Sequence, residues 1–171
     1  MQPRFQGASV KKPPRKNWRK THYTNLDLLL ASPVNPLPEK DRVVYLTKIY
    51  EALHSLETAE NPAKEDWQLC TDAVNIMETL VLDMQICADE DGLIQDAADA
   101  LGAAAKRFIE IGKIRLNGKG IASVRAVVQD YSMCLETLSA RTIIEAHRKT
   151  EIKVQEKRTK KVIDGKEVVK I

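Results

Sequence analysis

NPAKEDWQLCTDAVNIMETLVLDM, residues 61–84, decides the fold class. Asn61-Pro62 joins a helix-capping residue to a proline, whose fixed φ and missing amide proton suit the first helical position. From there Trp67, Cys70, Val74, Met77, Val81 and Met84 recur in alternating steps of three and four. Such steps return to one side of an α-helix, so these side chains form a seam for packing against other helices.

The same signature extends in both directions. Upstream, Val43, Leu46, Ile49, Tyr50, Leu53 and Leu56 mark an apolar face ending near residue 58. Pro38 suits that helix's first position, and Glu39 and Asp41 complement its positive N-terminal end. Before it, Thr24 and the leucines 26, 28, 29 and 30 predict a short helix that must stop at Pro33. Pro33, Pro36 and Pro38 then impose an extended connector. Downstream, Asp89-Glu90-Asp91-Gly92 breaks the central helix, with Asp91 expected to cap the next. Ile94, Ala97, Leu101, Ala104, Phe108 and Ile111 repeat the seam, with alanines that admit a close partner helix and Gly112 as a stop. A glycine-rich basic loop with an Asn117-Gly118 turn, GKIRLNGKG (112–120), follows.

Ile121, Val124, Val128, Tyr131, Leu135 and Leu138 open a helix expected to continue to about Arg158. Its roughly 38 residues would reach about 57 Å, longer than the other helices can cover. Its last third is therefore expected to project. Val162-Ile163 and Val168-Val169 flank Asp164-Gly165, a tight-turn pair, and suggest a short hairpin that would need a partner surface. The sequence thus predicts an all-α fold: a four-main-helix bundle with a long C-terminal helix, a flexible basic N-terminal arm and, given a partner surface, a short C-terminal β-hairpin.

A chain of 171 residues can bury a self-sufficient core. Seven glycines and seven prolines exclude collagen-like and low-complexity classes. Cys70, Cys87 and Cys134 are odd in number and contain no CxxC pair, as expected of reduced thiols in a cytoplasmic protein. MQPRFQGASV lacks the apolar core of a signal peptide, and no run of eighteen apolar residues occurs, so no membrane partner is expected.

Charge divides the chain into three zones. Residues 1–22, read as the arm, carry seven cations and no acid. Residues 148–171, read as a basic helix extension and tail, carry nine cations against four acids. The bundle domain between them, 23–147, has 11 basic and 20 acidic residues. An acidic body suggests protein contacts, and basic ends suggest an anionic partner.

Candidate chemistry is sparse. Glu51-Ala52-Leu53-His54 matches half of a di-iron helix-bundle site, but Glu145-Ala146-His147 has the wrong spacing to supply the other half. Asp89 and Asp91 resemble a calcium-loop fragment, yet Leu93 and Ala100 stand where oxygen ligands are required. His22, His54 and His147 are far apart in sequence. No catalytic residue, metal or cofactor is expected.

The arm is the most suggestive element. Arg15, Lys16, Arg19 and Lys20 alternate with Trp18 and Tyr23. Cations neutralise phosphates and release counterions, while aromatic faces stack on unpaired bases. Trp18 and Tyr23 could equally anchor the arm to the bundle. Lys113, Arg115, Lys119 and Arg125 around the glycine loop could extend the basic surface, as could the C-terminal helix. Ile143, Ile144 and Ile152, expected beyond the body, suggest a two-fold homodimer.

Three runs are similar to an uncharacterised family of small helical proteins from proteobacterial phages and mobile elements. They are RKNWRKTHYT (15–24), EDWQLCTDAVN (65–75) and RTIIEAHR (141–148), and the resemblance spans residues 15–152. It brings no catalytic residue and implies a DNA-associated accessory or an inhibitor of host machinery. The expectation is therefore a non-enzymatic accessory or regulatory protein. It would bind nucleic acid, DNA or RNA, through Arg15, Lys16, Trp18, Arg19, Lys20 and Tyr23, and a host or phage protein through its body. The alternative is an inhibitor or adaptor acting through the acidic bundle alone.

Overall fold

The computed structural model of the chain describes residues 23–89 and 91–163, with side chains as far as Glu156. Every regular element among the described residues is helical. They are α1 (Asn25–Leu30), α2 (Glu39–Thr58), α3 (Lys64–Glu78) with a π-helical turn at Thr79–Asp83, α4 (Leu93–Ile111), α5 (Gly118–Thr137) and α6 (Ala140–Ile163). The arm 1–22, with Arg15, Lys16, Trp18, Arg19 and Lys20, lies outside the described residues. So does the turn of the expected hairpin, whose first strand, Val162-Ile163, ends α6.

The core follows the seams. Cys70, Val74 and Met77 of α3 are buried against Ile49, Leu53 and Leu56 of α2, Ala97, Leu101 and Ala104 of α4, and Val124, Val128 and Leu135 of α5. Trp67 packs on this core and donates its indole N–H to the Leu101 carbonyl at 3.0 Å. The alanines of α4 let α5 approach closely. A Cβ on Gly120 would stand 2.6 Å from that of Ala100. The seam on α2 is narrower than its periodicity suggests, because Val43 and Tyr50 are exposed while Ala52 is buried.

Caps differ from the sequence reading in informative ways. α3 begins at Lys64 instead of Pro62. The Asp66 carboxylate accepts the Ala63 amide at 3.2 Å and the Ser55 hydroxyl at 2.6 Å, fastening α3 to α2. Asp89, not Asp91, caps α4, accepting the amides of Leu93 and Ile94 at 2.8 and 3.2 Å. Gly112 ends α4 in the left-handed region, as expected of a glycine stop. Asn117 caps α5 by accepting the Gly120 amide at 2.7 Å.

The largest departure is at Leu138-Ser139. The single helix expected over 121–158 is two helices, because Leu138 is extended and Ser139 starts α6 by accepting the Thr142 amide at 3.2 Å. The amides of Ala140 and Arg141 donate to the carbonyls of Asn35 and Ser32 at 2.8 and 3.0 Å. The proline-rich connector between α1 and α2 thus satisfies N–H groups that a helix start leaves without intrahelical partners.

Farther along α6, Thr150 is buried with its hydroxyl 2.6 Å from that of Thr79, and Lys153 is ion-paired with Asp83. α6 therefore remains fastened to the body past the expected boundary at residue 147. Ile143 and Ile144 are 0% and 5% exposed in their own chain, and only Ile152, at 53%, remains of the three positions that suggested a homodimer.

Candidate functional site

Because α6 folds back, it leaves a groove between itself, the 31–38 connector, the first half of α2 and the outer side of α3. The cavity is about 1120 Å³, somewhat above the range for small-molecule sites, and is partly open to solvent. Its floor is apolar, with Leu69, Ile76, Leu135 and Ile144. Its rim carries Asp27, Asp41, Asp72 and Glu151 alongside Lys40, Arg42 and Lys48.

An aromatic cluster around His147 forms one end. The Tyr131 hydroxyl and His147 Nε2 share a hydrogen bond of 2.8 Å. Tyr23 meets the imidazole edge-on with ring centres 5.3 Å apart, and Tyr45 lies 5.9 Å from it. Tyr45 and Tyr131 form their own edge-to-face pair at 6.1 Å. Such pairs add roughly 0.5–1.5 kcal/mol beyond the area they bury.

The cluster is electrically silent near neutral pH. Burial lowers His147 to about 4. Burial also raises all three tyrosines, with Asp41 and Asp27 adding to the effect at Tyr23. The imidazole and the phenols are therefore all uncharged, and none is poised for proton transfer at pH 7. Their chemistry is hydrogen bonding and π contact. On the α2 wall, Nε of Arg42 is buried with no hydrogen-bond partner, a donor facing the cost of an unsatisfied buried polar group.

Of the six residues expected to bind nucleic acid, Tyr23 alone falls within the described residues, and it sits in this groove against His147. Two of the four cations expected to widen the basic surface are paired: Lys119 with Asp96 at 3.0 Å and Arg125 with Glu57 at 2.8 Å. On α6, Lys149 pairs with Glu145 at 3.1 Å. Glu51 and His54 lie on the exposed side of α2, and no group of three or more metal-ligating side chains occurs among the described residues. None of the described helices is long and apolar enough to cross a membrane.

Sequence reading missed Arg42, Tyr45, Asp72 and His147 as neighbours, since they come from three helices. One available signal was Tyr131, whose place on an apolar seam buries a hydroxyl that must find a partner. Comparison with known protein families, with curated proteins and with solved structures finds no match.

Proposed function

We propose that this is a non-enzymatic accessory or regulatory protein of the cytoplasm. Its basic arm binds nucleic acid, and its helical body holds a protein segment in the groove. Arg15, Lys16, Arg19 and Lys20 contact phosphates and Trp18 stacks on a base. Tyr23, which abuts His147, fixes the point from which the arm leaves the body. The observation that carries this reading is the division of charge. Body cations placed to extend a basic surface, Lys119, Arg125, Lys149 and Lys153, are engaged with acids. The arm holds seven cations and no acid. The neutral state of the His147 cluster supports a binding role over a catalytic one.

The test is anisotropy of labelled single- and double-stranded oligonucleotides over a salt series. It compares the intact protein with a variant in which Arg15, Lys16, Arg19 and Lys20 are alanine. Removing four phosphate contacts should flatten the slope of log affinity against log salt by about 3. Absence of binding by the intact protein at low salt would refute the reading.

A second reading, a protein-binding inhibitor or adaptor of host machinery, is favoured by the apolar-floored groove with its carboxylate rim. Such a protein keeps its activity when the arm is neutralised and loses it when Asp41 and Asp72 are made asparagine.

A further inference from the structure

We propose that the groove between the 31–38 connector, α3 and α6 is the docking site of the chain's own arm, residues 1–22, with Trp18 seated on the apolar floor beside His147. This docking does not depend on whether the arm also binds nucleic acid.

Four observations converge on the occupant. The first is continuity. Tyr23 lies within the groove with its ring edge on His147, so the arm joins the body inside the cavity. Trp18 is five residues earlier and can be at most about 17 Å away along an extended chain. It can therefore reach the floor, and the rest of the arm is long enough to follow the groove.

The second is size and shape. A cavity of about 1120 Å³, partly open to solvent and above the usual volume of a small-molecule site, has room for a peptide segment. The third is charge. The arm has seven cations and no acid. Carboxylates stand where the arm enters, Asp27 and Asp41 close to Tyr23 and Asp72 of α3 close to Tyr45, and Glu151 of α6 also lines the groove. Lys40, Arg42 and Lys48 share the α2 wall, so the electrostatic fit lies on the α3 and α6 sides and at the entrance.

The fourth is the buried Nε of Arg42, which has no hydrogen-bond partner. A peptide laid along the α2 wall brings backbone carbonyls that can accept from it once the guanidinium turns toward the groove, acceptors that an apolar ligand lacks. The aromatic surfaces of Tyr23, Tyr45 and His147 would receive the indole edge-to-face.

Docking gives the arm two competing positions. Seated in the groove, its cations and Trp18 are unavailable to phosphates and bases. A polyanion that binds the arm must extract it and empties the groove as it does so. Binding at one place therefore weakens binding at the other, and the coupling is reciprocal.

The test uses the full-length protein with the photoreactive amino acid benzoylphenylalanine in place of Trp18. Irradiation followed by digestion and mass spectrometry should locate intramolecular cross-links on the groove walls of α2, α3 and α6, with a yield unchanged on dilution. The double variant Asp41→Lys, Asp72→Lys should lower that yield about fivefold, the effect of losing one or two exposed ion pairs. Circular dichroism reports whether this variant keeps its fold. If it does not, the arm variant with Arg15, Lys16, Arg19 and Lys20 made alanine removes the same pairs from the other side.

Cross-links confined to other faces of the body, or none at all, would overturn the proposal. So would cross-links between molecules that grow with concentration, which place the arm on a second copy. The nucleic-acid reading fails separately. Groove cross-links without oligonucleotide binding sink that reading and leave docking intact, and oligonucleotide binding without groove cross-links does the reverse.

Discussion

Acidifying the protein should protonate His147 in the unfolded chain well before it does so in the folded one. Burial between Tyr23, Tyr45 and Tyr131 lowers its pKa from the ordinary 6.5 to about 4. The unfolded state therefore binds the extra proton first, and stability falls with falling pH across that window. Above pH 6.5 the contribution of a neutral His147 is complete. It declines between pH 6.5 and 4, and below 4 both states are protonated and the loss is constant. A tenfold difference in proton affinity is worth about 1.4 kcal/mol, so full desolvation corresponds to about 3 kcal/mol. The ring borders the groove and water there screens it, which reduces the expected loss to about 2 kcal/mol.

The assay is urea unfolding at a series of pH values for the wild type and for His147→Gln. Glutamine cannot titrate and still offers Tyr131 a hydrogen-bond partner. Every other ionisable group is common to the two proteins, so its contribution cancels in the difference. The wild type should lose about 2 kcal/mol more than the variant between pH 7 and 4. Equal losses would mean that His147 is solvated and that the aromatic cluster does not enclose it.

Two further outcomes follow from the packing. Gly120→Ala should lower stability by about 1–2 kcal/mol, because its Cβ would meet that of Ala100 at 2.6 Å and neither backbone can retreat without opening the α4–α5 contact; an unchanged or raised denaturation midpoint would refute that closeness. Diamide should join Cys87 to Cys134, whose sulfurs are 3.3 Å apart, and leave Cys70 as a thiol, since burial raises Cys70 and Cys134 alike to about 12 and it is contact with the half-buried Cys87 that decides the pairing. Peptide mapping without reductant reads this directly, and disulfides dominated by Cys70 would contradict the arrangement.

Helix content and most of the core were legible because they depend on periodicity alone. Cys70, Val74 and Met77, then Ala97, Leu101 and Ala104, then Val124, Val128 and Leu135 are all buried where their three-and-four spacing places them. Boundaries were less legible, because caps were decided by competition among nearby carboxylates. Asp66 prevailed over Asn61 because Ser55 of α2 also donates to it, and that contact has no local trace in sequence. The break at Leu138-Ser139 was hidden for a similar reason. Ser139 is a capping type, but the apolar pattern of Leu135, Leu138 and Ile144 runs across it without interruption. What favours two helices is the pair of carbonyls, Ser32 and Asn35, waiting in a connector a hundred residues earlier in the chain.

That one misjudged joint is also why the groove could not be anticipated. A straight helix through residue 158 would carry His147 and Thr150 away from the body and leave Tyr131 without its partner. Reversal at Ser139 brings His147 back to Tyr131, Thr150 to Thr79 and Lys153 to Asp83. It also raises a wall opposite α2 and α3. The fastenings are of unequal strength. The Thr79–Thr150 pair is buried and back-bonded to the carbonyls of Asn75 and Ala146, whereas the Lys153–Asp83 pair is partly exposed and worth little. The middle of α6 is thus held more firmly than its C-terminal part. The buried Thr79–Thr150 pair stands one turn along α6 from His147, so it and the aromatic cluster hold the same stretch of the groove wall. On the docking proposal, a segment entering from Tyr23 meets the aromatic cluster first, and the aromatic residue nearest Tyr23 is the one expected to pack there. In this chain that residue is Trp18.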